Sequence, residues 1–157
     1  MKPDQGRELL RAALDELSRA RVHLDYSARR VADLPEDFQS VDEDLLESVE
    51  AFCSRFARTV DLLVNKVLRG LDRAELQAPG TLIDVVNRAE KRGLVEHAEI
   101  LREMKDLRNI IALDYAGARL AEVFAWCRVQ KPVLDAICNR TVAYVQELLH
   151  STGNEAR

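Results

Sequence analysis

Between Leu45 and Leu71 apolar side chains return at steps of three and four, through Val49, Phe52, Phe56, Val60, Leu63, Val64 and Val67. That period puts one apolar stripe on a helix and is incompatible with the alternation of a strand. Running from Asp42 to about Ala74, the helix would be roughly 50 Å long at 1.5 Å per residue. A small bundle built from one chain needs no helix of that length, so packing against a second copy is expected. Ser40 is the predicted N-cap. Asp42, Glu43, Asp44 and Glu47 then fill the first turns, where negative charge complements the helix dipole.

The remaining chain reads the same way. Only 6 glycines and 4 prolines punctuate 157 residues, which favours long helices with short connections. Leu10, Leu14, Leu17, Leu24, Val31 and Leu34 mark a first helical stretch from Asp4 towards Leu34. Asp25–Arg30 interrupts that stripe, so two shorter helices are expected there rather than one, and Pro35-Glu36-Asp37 ends the stretch. Ala78-Pro79-Gly80 is a turn, and Thr81 caps a short helix that stops at Gly93, a natural residue for the position after a helix end. A fourth helix is expected from Leu94 to about Ala112, closed by Asp114-Tyr115-Ala116-Gly117. The last is expected from about Ala118 to Leu149 with a kink at Pro132.

The expected fold is thus all-α, an antiparallel bundle of about five helices in one domain over residues 1–150, with a flexible polar tail over 151–157. The three cysteines, Cys53, Cys127 and Cys138, form no C-x-x-C pair and leave an odd count, so free thiols in a reducing compartment are expected. The N-terminal residues carry no apolar stretch of signal-peptide type, and no run approaches the ~20 apolar residues of a membrane span. A soluble, cytoplasmic protein is expected. A net charge of −4 argues against a general nucleic-acid coat, while leaving room for a local basic site.

One stretch carries chemistry: Lys105-Asp106-Leu107-Arg108-Asn109-Ile110-Ile111-Ala112-Leu113-Asp114-Tyr115. With Met104 before it, this segment resembles the HEPN superfamily, whose hallmark is an arginine followed by a polar residue, with a histidine five positions after the arginine. The form R-N-x-x-x-H-x-Y is similar to that of small bacterial HEPN toxins paired with a minimal nucleotidyltransferase antitoxin. Arg108, Asn109 and Tyr115 match that pattern. The histidine position is Leu113, which departs from it.

The resemblance implies a HEPN-like bundle that cleaves RNA without a metal or other cofactor, as a homodimer in which the motifs of two protomers face one another. Arginine suits the scissile phosphate because it offers a permanent charge on a forked donor set, and histidine suits proton transfer because it titrates near neutrality. Arg108 would hold the phosphate and Asn109 would orient it. Tyr115 is a candidate for adenylylation by the nucleotidyltransferase partner, although a packed ring with a wet hydroxyl is an equally good reading of it. On a helix, residue 113 lies about 140° round from Arg108, so a single chain aligns the pair poorly.

Leucine neither gives nor takes a proton, and general acid–base catalysis is typically worth about 10²–10⁴-fold, so this chain is expected to be inactive or nearly so. His23, His97 and His150 are poor substitutes, being distant from the motif in sequence or three turns upstream. Two explanations of Leu113 remain open. One is a natural degenerate domain that retains binding; the other is a single-base change that silenced a toxic nuclease. Intact Arg108, Asn109 and Tyr115 around a lone loss favour the second.

Other residues are weaker candidates. Arg55 and Arg58, one turn apart on the long second helix, line a groove towards the motif and contact RNA phosphate or a partner, or else form a solvated face. Asp106 either pairs with an arginine and orients it or is a surface carboxylate. Phe124 and Trp126 are expected in the core or at a dimer contact rather than stacked on bases. No Cys/His spacing suits a metal and no glycine-rich loop suits a nucleotide. Two further function classes stand beside the toxin: a non-catalytic binding subunit of a minimal nucleotidyltransferase, and a helical dimerisation module without nucleotide chemistry.

Overall fold

The computed structural model describes residues 2–35, 42–113 and 119–154. Every regular element among them is helical: α1 (Pro3–Arg30), α2 (Glu43–Asp61), a π-helical segment (Leu62–Leu68), α3 (Arg69–Ala74), α4 (Leu82–Lys91), α5 (Ala98–Leu113) and α6 (Leu120–Asn154). Because α2, the π segment and α3 run on without a break, the described residues form five helical rods, as the apolar periodicity predicts. No described helix is long and apolar enough to cross a membrane.

The α2–α3 rod is the hub, packing against α1 on one side and against α5 and α6 on others. Phe52, Phe56, Val60, Leu63, Val64 and Val67, the stripe residues, are all sealed from solvent. Edge-to-face ring pairs tie the rod to α6: Phe52 on Phe124 and Phe56 on Trp126, each with centroids 5.8 Å apart. These two α6 aromatics therefore serve the core, as expected. The N-cap is Asp42, whose carboxylate accepts from the Leu45 amide at 2.8 Å. Ser40, the residue assigned that role from sequence, lies outside the described residues.

Three expectations need correction. The first helix is a single 28-residue rod, not two. Its buried face runs Leu10, Ala13, Leu17, Ala20, Leu24, Ser27 and Val31, and the apparent interruption is Ser27. That serine occupies a core position because Arg55 Nη1 donates to its hydroxyl at 2.7 Å, which satisfies a polar group that burial would otherwise penalise.

The fourth helix begins at Ala98, not Leu94. Gly93, with φ +77°, ends α4, and the Leu94 amide returns to the Ala89 carbonyl at 3.0 Å while the Gly93 amide returns to Glu90 at 2.9 Å. This six-to-one closure turns Leu94 and Val95 inward, so their apolar side chains fill the core from a turn rather than from a helix.

The last helix begins at Leu120, residue 118 lying outside the described residues, and it runs through Pro132. There the missing amide leaves the Arg128 carbonyl without its usual donor. The same helix carries on to Asn154, so 151–154 extend it instead of forming a tail; residues 155–157 lie outside the described residues.

Charged groups lock the helix ends. Asp72, 6% exposed, takes Arg88 at 3.0 Å and Arg92 at 2.7 Å, and Arg92 also reaches Glu75 at 2.9 Å. The Tyr144 hydroxyl of α6 donates to Glu75, which ties three helices together at one end of the bundle. On α6, Arg128 lies over the Phe124 ring, 5.0 Å from its centroid, and donates to the Ala32 and Leu34 carbonyls, closing the end of α1. The three cysteines are free and buried.

Candidate functional site

The motif occupies the C-terminal half of α5. Arg108 Nη1 donates to Asp61 Oδ2 at 2.7 Å, and Lys105 Nζ, one turn earlier, donates to the other oxygen, Oδ1, at 2.6 Å. One carboxylate is thus shared by two cations. Asp61 is the last residue of α2, and the wider π-helical turns begin with the next residue, Leu62. Such single insertions of π geometry often accompany functional positions, since they displace one face of a helix relative to the next turn.

Burial differs sharply across this cluster. Lys105 and Asp61 are 16% and 19% exposed, whereas the Arg108 side chain is 68% exposed. Lys105 therefore seals the α2–α5 seam, and Arg108 presents most of its guanidinium to solvent. Of its five N–H donors only one is engaged by Asp61, so the fork can still receive an anion. Two cations and one carboxylate leave the cluster with a net positive charge.

Asn109 is exposed beside Arg108. Leu113 is 69% exposed at the end of α5, a large apolar side chain with no core to fill. Tyr115, the modification candidate, lies outside the described residues. Asp106 is exposed and does not hold Arg108; that part belongs to Asp61, for which no local pattern speaks. Asp106 instead borders a 310 Å³ pocket between α5 and α6 floored by Leu107, Ile110, Val123 and Trp126.

Arg55 and Arg58 do line a groove, but its other wall is α1. This 440 Å³ groove is bordered by Arg19, His23, Arg55 and Arg58, with Glu16 at its edge and Ala20 and Leu62 beneath. Arg108 is not part of its wall. The two sites are neighbours all the same: Asp61 lies one turn beyond Arg58, about 60° round the helix. Arg19 and His23 were not singled out from sequence, because their place opposite Arg55 and Arg58 depends on how α1 docks. His97 and His150 are exposed and away from this groove. Among the described residues no group of three histidine, cysteine or acidic side chains is arranged to hold a metal.

No family model, no curated protein and no solved structure matches the chain. The functional reading therefore rests on the residues themselves.

Proposed function

We propose that this chain is a HEPN-type ribonuclease toxin subunit, working on RNA as a homodimer under a nucleotidyltransferase antitoxin, and silenced by leucine at position 113. The observation that carries this reading is the exposed run Arg108, Asn109 and Leu113 on α5, with Arg108 held by Asp61 yet largely open to solvent. A guanidinium braced on one side by a carboxylate is pre-oriented, and its remaining donors suit a bidentate grip on phosphate.

Leu113 supports the same reading from the other direction. Among the described residues the Leu113 side chain is 69% exposed, so the core places little demand on its identity. Histidine there would be solvent-accessible, and it would meet Arg108 across a dimer rather than along the helix. In that arrangement Arg108 holds the scissile phosphate, Asn109 orients it, and histidine at 113 takes the 2′-hydroxyl proton. With leucine the proton has no acceptor, and the site binds without cleaving.

A second reading draws on the same exposed leucine. An apolar side chain protruding beside Arg108 and Asn109 suits protein contact, as in a non-catalytic binding subunit of a minimal nucleotidyltransferase. One experiment separates the two. RNA cleavage is measured for the chain, for Leu113→His and for Leu113→His with Arg108→Ala. Cleavage by the single variant alone supports the silenced nuclease; a folded Leu113→His dimer that leaves RNA intact points to the binding subunit. Sedimentation or light scattering on the same samples reads the dimer directly.

A further inference from the structure

The cations of this protein differ in how their charge is met. Arg21, Arg88, Arg92, Lys105, Arg108 and Lys131 each sit within 4 Å of a carboxylate. Arg19, Arg55 and Arg58 have no carboxylate partner among the described residues, and all three line the α1–α2 groove. Other arginines without a carboxylate partner among the described residues, such as Arg11, Arg29, Arg73 and Arg102, are spread over the exposed surface. Arg19, Arg55 and Arg58 instead share one concavity, and among the described residues that line it Glu16 is the one acidic side chain.

Arg55 shows that the groove is built in advance. Its Nη1 donates to the Ser27 hydroxyl at 2.7 Å and to the His23 carbonyl at 3.2 Å. Ser27 is itself buried, so the guanidinium is anchored to the core of α1 and loses little rotamer freedom on engaging a ligand. Arg19 and Arg58 are exposed on the two walls. Ala20 and Leu62 give an apolar floor, and the exposed His23 ring offers a face on which a base can stack. A volume of 440 Å³ is of the size that holds a small ligand, here one nucleotide with its phosphate.

We infer that the α1–α2 groove is a second RNA subsite, taking a nucleotide of the single strand whose scissile phosphate lies at Arg108. This rests on the ribonuclease reading above. Arg58 stands between the two places on α2, with the groove on one side and Asp61, the brace of Arg108, one turn further on. Arg19 and Arg58 neutralise phosphate, Arg55 fixes its position, and the floor and His23 receive the base without selecting its identity. The groove thus sets where along a strand the motif acts, through backbone charge and stacking rather than through base hydrogen bonds.

The test measures binding, which needs no histidine at 113. A short fluorescein-labelled single-stranded RNA is titrated with the full chain, with Arg19→Ala/Arg58→Ala, with Arg108→Ala, and with the control Arg73→Ala/Lys91→Ala, at several salt concentrations. Circular dichroism checks that each variant retains its helix content. Each phosphate neutralised on a single strand contributes about 0.7 to the slope of log affinity against log salt, so the groove variant should lose roughly 1.4 of slope and on the order of tenfold in affinity. The control should match the parent. Parent-like RNA binding by the groove variant, with loss only in Arg108→Ala, would overturn the subsite and leave the ribonuclease reading standing. No RNA binding by the parent chain overturns both. If adenosine monophosphate binds in a manner dependent on Arg19 and Arg58 while RNA does not, the groove is a free-nucleotide site and the inference is wrong.

Discussion

Asp61 braces Arg108 across the α2–α5 seam at 2.7 Å, and the guanidinium it holds is nevertheless 68% exposed. A carboxylate in that place has two opposed effects on an RNA site. It competes with phosphate for the arginine, and it fixes the direction in which the remaining donors point. The effects part in Asp61→Asn. Losing one negative charge should tighten single-stranded RNA binding by about fivefold at 0.1 M salt, from a gain of about 0.7 in the salt slope. In the Leu113→His background, cleavage should fall, because Arg108 and Lys105 lose the shared acceptor that orients them. Cleavage that rises together with affinity would show Asp61 to be a competitor and nothing more.

What could be read from the sequence, and what could not, follows from the range of each interaction. The α2 stripe was legible because its apolar residues sit at helical spacing and all meet one core. Thr81 was legible as a cap because its partner is local: the Thr81 side chain accepts from the Asp84 amide, and the Asp84 carboxylate accepts from the Thr81 amide. Ser27 looked like a break because the arginine that satisfies it comes from position 55. Asp61 was invisible for the same reason, its two cations lying 44 and 47 residues away. Neither is the π segment signalled locally, since Leu62–Leu68 keeps an ordinary apolar pattern. Half of the candidate groove, Arg19 and His23, needed the docking of α1 to become a site at all.

Asp72 should matter more to stability than any residue of the motif. Its carboxylate is 6% exposed and neutralises both Arg88 and Arg92, and Arg92 is only 10% exposed. Asp72→Ala leaves Arg92 with Glu75 alone and strands charge that burial has already desolvated. The expected cost is about 3 kcal/mol, or roughly 10 °C in Tm for a domain of this size. Thermal and urea unfolding followed by circular dichroism would measure it. A loss under about 1 kcal/mol would mean that solvent reaches Arg92 readily once its partner is gone.

Gly93 tests the turn that replaced the expected start of the fourth helix. A Cβ at this position would meet nothing within 4 Å, so space imposes no penalty. The φ of +77° does, because side chains of L-residues crowd the backbone there. Gly93→Ala should therefore cost about 1 kcal/mol, and Gly93→Asn less, since asparagine tolerates the left-handed region better. Equal stability of the three proteins in urea titration would show that the turn opens to a relaxed conformation, and Leu94 and Val95 would then lose their protection from hydrogen exchange.

The alkaline limb of stability should be set in part by Tyr144. Burial raises its phenol above the ordinary value near 10, and the hydrogen bond it donates to Glu75 raises it further. The folded state therefore binds this proton more tightly than the unfolded state does. Its contribution is complete below about pH 10 and is lost as pH climbs through the raised folded value, when a phenolate would face the Glu75 carboxylate. Lys131 acts in the same direction: burial opposes its charge, but the hydrogen bonds to Asp135 and Asp25 together with their negative charge outweigh it, so it too holds its proton more firmly when folded. Tyr144→Phe separates them. Below pH 9 the variant should be less stable than the parent by the lost hydrogen bond, about 1 kcal/mol. Above about pH 10, as pH climbs through the raised folded value, the two urea midpoints should converge, because the parent alone surrenders the tyrosine contribution. Parallel curves across that window would show that the Tyr144–Glu75 contact is not maintained in solution, and that α6 is tied to the Asp72 cluster by apolar packing alone.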